Sequence, residues 1–353
     1  MSFIEKWLRA DIQAINAYHV PSADKMVKLD AMESPFALPD ELIGQYLAYL
    51  ADAQLNRYPN PSADELNQTL RELMDIPDDF GVLLGNGSDE LIQLLALACE
   101  TNDTILSVEP SFVMYDMIAK FTRLNYHGVA LTKDYQLDLT SMLEAIDTHQ
   151  PKLIFIAYPN NPTGNTFDRK SIETIIRSTD AMVILDEAYY AYAGDSFVMD
   201  IGKYPNLVVL RTVSKIGFAG LRLGLLIGAQ ATVAELDKLR LPYNINTLTQ
   251  VSANFLLKEK AEIDQNAAII IEQRQQLLSD LNAIVDLTVY PSQANFILFK
   301  ASRAQALFDF LKENGILIKN LSSAPNLADC LRVTVGDYEQ NQLFLQAVKK
   351  FYG

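Results

Sequence analysis

Two spacings of apolar residues run along this chain, and they separate strands from helices. Runs rich in Ile, Val and Leu at 104–108, 153–157, 182–186 and 206–210 have the pattern of strands buried on both faces. Shorter runs near Val82, at 126–130 and at 223–227 bring the expected set to seven. Segments at 62–74, 91–99, 112–121, 139–148 and 168–177 place apolar residues three and four apart, which predicts helices between the strands. Alternation with short connections predicts a mainly parallel seven-stranded sheet covered on both faces, with the ligand off the carboxyl ends of its strands.

Beyond Gly228 the rhythm changes. Residues 247–281 read as mostly helix with a kink near Lys260-Ala261, and short strands then alternate with helices at 304–314 and 340–351. At the other end Phe3, Ile4, Trp7, Leu8, Ile12 and Ile15 recur at helical spacing, as an arm that packs on its own domain or on a second subunit. The expected class is α/β: an arm over 1–35, a large domain over 36–245 and a smaller α+β domain over 246–353.

Composition narrows the partners. The 353 residues are 49% hydrophobic and 21% charged, as in a soluble globular protein, and the net charge is −15. Such a field repels nucleic acid and anionic membrane, so an anionic ligand must be held by a few placed cations. Three histidines and two cysteines without close spacing argue against a zinc site. Cys99 reads as a buried free thiol, which fits a reducing cytosol. No apolar run is long enough to cross a bilayer, and charges interrupt the first apolar positions where a signal peptide would be continuous.

The polar residues gather at expected strand ends. Gly85-Asn86-Gly87-Ser88-Asp89-Glu90 leads into a helix, an arrangement that suits a phosphate or is an ordinary tight turn with Ser88 as N-cap. Glu90 breaks the dinucleotide fingerprint, and no nucleotide-binding GK[ST] loop occurs. Asn161 and Asp186 each have an ordinary reading, as a turn residue before proline and a helix N-cap. Lys215 alone reads as a surface amine. Among small and apolar neighbours, however, it is a candidate Schiff-base lysine whose amine titrates low enough to attack a carbonyl.

Gly85 to Glu90, Asn161-Pro162-Thr163-Gly164, Asp186-Glu187-Ala188-Tyr189, and Ser214-Lys215 with Ala219-Gly220-Leu221-Arg222-Leu223-Gly224 together resemble the fold-type I pyridoxal 5′-phosphate aminotransferases, over nearly the whole chain. Within them the resemblance is strongest to the branch acting on L-histidinol phosphate. The resemblance implies that Lys215 carries the cofactor and shuttles the α-proton, that Asp186 holds the ring nitrogen, and that Asn161 and Tyr189 meet the phenolic oxygen. Gly87, Ser88, Asp89, Ser214 and Arg222 would surround the cofactor and its phosphate, with Phe112 stacked on the ring. Tyr58 would reach the phosphate of the other subunit in a homodimer, and Arg332 would bind the carboxylate of the amino acceptor.

Lys319 stands where the family often carries an arginine for the substrate phosphate, and Tyr18 lies near a substrate-contacting tyrosine. The seven-residue step from Lys215 to Arg222 is one shorter than in relatives, so a tighter loop is expected. The implied activity is amino transfer between L-histidinol phosphate and 2-oxoglutarate in cytoplasmic histidine biosynthesis. Transamination of aromatic amino acids and decarboxylation of an amino-alcohol phosphate need the same cofactor groups. A non-catalytic cofactor-binding regulator is disfavoured by the acidic charge and by the early start of the strand pattern.

Overall fold

The computed structural model describes residues 3–15, 17 and 23–353. Its strands are β1 (Val27–Lys28), β2 (Phe80–Gly85), β3 (Thr104–Glu109), β4 (Asn125–Ala130), β5 (Leu153–Ala157), β6 (Met182–Asp186), β7 (Leu207–Thr212) and β8 (Gly224–Ala229). After the long helix Lys260–Asn282 follow β9 (Leu287–Val289), β10 (Phe296–Ala301), β11 (Ile316–Leu317), β12 (Lys319–Asn320) and β13 (Cys330–Thr334).

Seven strands form one sheet in the order β2-β8-β7-β6-β5-β3-β4. The pairs β3/β4, β3/β5, β5/β6 and β6/β7 are parallel, while β8 runs antiparallel to both its neighbours. That reversal puts Gly224, the first residue of β8, at the same edge as the carboxyl ends of β2, β5, β6 and β7.

The apolar runs follow from burial on both faces. Ile154, Ile156, Val183, Leu185 and Val209 enter one core, whereas Leu153, Phe155, Ile184, Val208 and Leu210 enter the other. Successive side chains point to opposite faces of a strand, so both faces call for apolar residues, and the buried Ser107 of β3 is accommodated by donating to the Phe155 carbonyl at 2.8 Å. Helices Asp64–Met74, Leu139–His149 and Arg169–Arg177 cover the first face, and Ser88–Leu97 with Met114–Thr122 covers the second.

A second, four-stranded antiparallel sheet, β12-β13-β10-β9, packs with the long helix around another core. Residues 316–320 carry two short strands that belong to different sheets. β11 pairs in parallel with β1, and β12 joins the larger neighbour sheet. Leu29 and Met32 belong to this core, and the Leu29 carbonyl accepts from the Thr334 N–H at 2.9 Å. The helical stretch after 247 is broken rather than kinked, into Thr247–Leu256 and Lys260–Asn282. Ala253, Leu257 and Ile263 pack in the first core and Ile270, Leu277 and Leu281 in the small one, so the long helix crosses from one to the other.

The arm is two short helices, Phe3–Trp7 and Ala10–Gln13, rather than one, and neither buries a residue. Its guanidinium at Arg9 donates to the carbonyls of Lys120 and Phe121 at 2.8 and 3.0 Å. Both cysteines are free; Cys330 is buried, but Cys99 is only half-buried, because its helix ends at Leu97. No helix of the described residues is long and apolar enough to cross a membrane.

Candidate active site

Nine of the residues singled out in the sequence line one cleft at the strand-end edge: Ser88, Asp89, Phe112, Asn161, Asp186, Tyr189, Ser214, Lys215 and Arg222. Lys215 sits in the turn Ser214–Ile216 that ends β7, and its Nζ donates to the Ala31 carbonyl at 3.4 Å. Among the described residues it makes no ion pair. Burial, helped by the charge of Arg332, brings the amine down to about 8, so far more of it is unprotonated near neutrality than of an ordinary lysine. An unprotonated amine is the form that attacks a carbonyl.

Asp186 is the last residue of β6 and is 4% exposed. Its Oδ2 accepts from the Tyr115 hydroxyl at 2.8 Å and its Oδ1 from the Ala188 N–H at 3.1 Å. Burial raises the carboxyl to about 6, against the pull of those two hydrogen bonds. The side chain caps no helix, since the helix that follows, Tyr190–Ala193, begins after Tyr189.

Arg332, in the apolar strand β13, donates through Nη1 to Asn161 Oδ1 at 2.5 Å and through Nη2 to the Asp30 carbonyl at 3.0 Å. Asn161 Nδ2 in turn donates to the Tyr189 hydroxyl at 3.3 Å. Burial pushes the Tyr189 phenol up, so it keeps its proton and remains a donor. These contacts connect the small sheet to the end of β5 and to the segment after β6.

At the opposite end of the cleft, glycine permits a close approach. Gly87 has φ of +86°, and a Cβ there would come within 2.6 Å of Arg222 Nη2. Gly224 lies so near the helix Ser88–Leu97 that its Cβ would fall 2.5 Å from the Ser88 N–H nitrogen. Gly87, not Ser88, is the N-cap, and Ser88 opens the helix with its backbone N–H free of an intrahelical partner. Arg222 lies 3.7 Å from Asp89, whose carboxyl is raised by burial while Arg222 and Lys215 oppose that rise. Thr212 Oγ1 accepts from the Ser214 N–H at 3.1 Å and lies 2.9 Å from Ser214 Oγ. The short step to Arg222 is made by two tight turns, 214–216 and 219–221, around Gly217 at φ +114°.

Three residues stand apart. Tyr58 is 80% exposed and stacks on Tyr243 at 4.5 Å, outside the cleft lining of this chain. Lys319 pairs in register with Arg332 across β12 and β13 but does not line the cleft. Tyr18 lies outside the described residues. Sequence reasoning missed Thr212, Met32 and Tyr115. Thr212 adjoins the Ser-Lys motif, whereas Tyr115 carries no signal beyond an aromatic ring early in a helix.

The donor set suits pyridoxal 5′-phosphate. Asp186 offers an acceptor for the protonated ring nitrogen, and Asn161 and Tyr189 offer amide and hydroxyl hydrogens for the phenolic oxygen. Lys215 offers its amine to the aldehyde. Ser88, Ser214, Arg222 and the helix N-terminus at Gly87 offer hydrogens and charge to the phosphate. Phe112 lines the same cleft and meets Tyr115 edge-on at 5.5 Å between centroids.

Comparison with known proteins agrees. The chain is 71% identical over 352 residues to a histidinol-phosphate aminotransferase of Vesicomyosocius okutanii, covering 100% of this chain and 99% of that one. It is 45% identical to another of Chromobacterium violaceum, covering 99% of each. Among solved structures, histidinol-phosphate aminotransferase from Sinorhizobium meliloti, in complex with pyridoxal 5′-phosphate, superposes with a TM-score of 0.86 at 21% identity, covering 98% of both chains, which shows the shared fold. The model of aminotransferase class I and II matches residues 24–348, and this chain belongs to that family.

Proposed function

We propose that this chain is a pyridoxal 5′-phosphate-dependent transaminase that passes an amino group from L-glutamate to imidazole-acetol phosphate, giving L-histidinol phosphate and 2-oxoglutarate in histidine biosynthesis. The observation that carries the reading is the meeting of Lys215, lowered to about 8, with the buried carboxylate of Asp186 in one cleft. The named relatives that span the whole chain favour this substrate over aromatic amino acids and over decarboxylation.

Bound pyridoxal 5′-phosphate supplies an electron-accepting ring beside the substrate α-carbon. The residues of this chain do the rest. Lys215 Nζ takes the α-proton as general base and returns it as acid, a role that needs an amine titrating near working pH. Asp186 keeps a proton on the ring nitrogen. Tyr189 and Asn161 hold the phenolic oxygen, and Phe112 packs on the ring face. Gly87, Ser88, Asp89, Ser214 and Arg222 form the phosphate end. Arg332 binds the substrate carboxylate; Lys319 gives the substrate phosphate a point charge without an arginine's planar fork, and Tyr18 contributes from the arm.

The arm 1–35, the cofactor part 36–245 and the smaller part 246–353 are the proposed divisions. The enzyme works as a cytoplasmic homodimer in which Tyr58 reaches the partner's phosphate site. Three observations support the dimer: the helix Asp40–Ala51 buries no residue, Leu47, Leu55 and Leu241 are 57%, 69% and 73% exposed, and the exposed Tyr58 lies outside the lining of its own cleft.

The test is the visible spectrum of the purified protein before and after L-histidinol phosphate is added without keto acid. Bleaching of the cofactor band by that amine supports the assignment. A response confined to aromatic amino acids or glutamate refutes the substrate and leaves the cofactor site standing. For the dimer, mixing Tyr58→Ala and Lys215→Ala chains, each inactive alone, restores activity only if Tyr58 acts in trans.

A further inference from the structure

We propose that Tyr115 is a positioning residue for Asp186: its hydroxyl fixes the buried carboxylate as an anion aimed at the cofactor's ring nitrogen. The inference rests on the transaminase reading and deepens it. Three features carry it. Tyr115 is 0% exposed, and its ring is clamped by stacking on Phe155 at 4.8 Å and by the edge contact with Phe112. Its hydroxyl lies 2.8 Å from Asp186 Oδ2, and the Ala188 N–H holds Oδ1, so both oxygens are oriented. No cation forms an ion pair with Asp186 among the described residues, so the groups that touch its carboxylate are neutral donors.

The direction of the hydrogen bond is settled by charge. Burial and the neighbouring carboxylate push the Tyr115 phenol well up, so the proton stays on oxygen and is donated to Asp186. A donor to the charged form favours that form. The groups facing the carboxylate from the surrounding elements are Tyr115 on the helix Met114–Thr122, Asp89 on the helix Ser88–Leu97, Lys215 after β7, and the Ala188 N–H and Tyr189 beyond β6. Asp89 works against ionisation and Lys215 for it. Tyr115 is the partner whose removal leaves that charge balance intact while taking away one hydrogen bond.

The experiment is the affinity of apoprotein for pyridoxal 5′-phosphate, followed by fluorescence quenching from acid to neutral pH. Tyr115→Phe keeps the ring stack and removes the donor. Affinity at neutral pH is expected to fall by about 10-fold or more, the scale of one hydrogen bond to a charged group. The acid limb, where Asp186 takes up a proton, moves to higher pH. The cofactor phosphate also titrates on the acid side, but equally in both proteins, so the difference between them reports on the site.

Should Tyr115→Phe fail to fold, 3-fluorotyrosine at position 115, a stronger donor of nearly the same shape, moves the limb to lower pH. In an Asp186→Asn background Tyr115→Phe leaves affinity unchanged. A limb that stays put, or an equal loss in both backgrounds, assigns Tyr115 to packing alone and overturns the inference. Wild-type protein that binds no pyridoxal 5′-phosphate overturns the transaminase reading itself, and this inference with it.

Discussion

The ends of β6 and β7 each carry two charged residues, and the structure treats the two pairs in opposite ways. Glu187 and Arg211 form a closed network. Their side chains meet at 3.1 Å, Arg211 also donates to the Met74 carbonyl and to Ser196 Oγ, and Glu187 also accepts from the Phe197 N–H. Asp186 and Lys215, from the same two strand ends, face the cleft. There the carboxylate meets only a hydroxyl and an N–H, and the amine a carbonyl and, at 5.9 Å, the Tyr189 ring. Burial weakens the charged form of both cleft groups, lifting one to about 6 and lowering the other to about 8. A charge whose partners are all supplied by the fold is held for structure. A charge left short of a counter-ion in a cleft is poised for a ligand that supplies it.

Single substitutions separate the two pairs, and the largest effect belongs to the cleft. Lys215→Ala is expected to lower transamination by at least ~10²–10⁴-fold, the usual contribution of a positioned general base, and to abolish borohydride trapping of the cofactor. Its melting temperature should stay close to wild type, because Lys215 gives up a single long hydrogen bond. Activity near that of wild type would remove Lys215 from the chemistry. Glu187→Gln should do the reverse. It strands the buried Arg211 guanidinium, at a cost of roughly 3–5 kcal/mol in urea unfolding. Activity per folded molecule should be preserved, and a large fall in kcat with unchanged stability would erase the distinction between the pairs.

Much of this was legible in the residues. Strands buried on both faces are written as runs rich in Ile, Val and Leu, which marks the central strands of the sheet, while β4, only partly buried, shows as a shorter run. The Gly-Ser, Asn-Pro, Asp-Glu and Ser-Lys motifs mark strand ends, and parallel topology brings such ends to one edge. The partners of these motif residues were not legible. Tyr115 reaches Asp186 only because its helix lies over the face of β6, and Glu187 meets Arg211 only because β6 and β7 are neighbours; neither adjacency is a local property. The pairing of β11 with β1 escaped for the same reason, since it joins residues almost the length of the chain apart. Tyr58 lies in a loop, and its stacking on Tyr243 depends on a second loop far along the sequence.

The smaller effect tests the cleft carboxylate alone, in apoprotein, where no ligand supplies its countercharge. Asp186 ionises near the ordinary value of an aspartate when unfolded but at about 6 when folded. A folded-state value raised above the unfolded one means that the native protein binds the proton more tightly. The group therefore contributes stability that is fully present below the unfolded value and is lost as pH rises through about 6. The shift corresponds to roughly 3 kcal/mol across that window. Asp186→Asn removes the titration, so its stability relative to wild type should rise by that order between mildly acidic and neutral pH, as read from urea midpoints of the two apoproteins. Saturating pyridoxal 5′-phosphate should flatten the wild-type dependence, because a protonated ring nitrogen provides the cation that the fold withholds. A difference between variant and wild type that is constant with pH would mean that Asp186 is as well satisfied by its hydrogen bonds as Glu187 is by Arg211, and the contrast between the two pairs would fail.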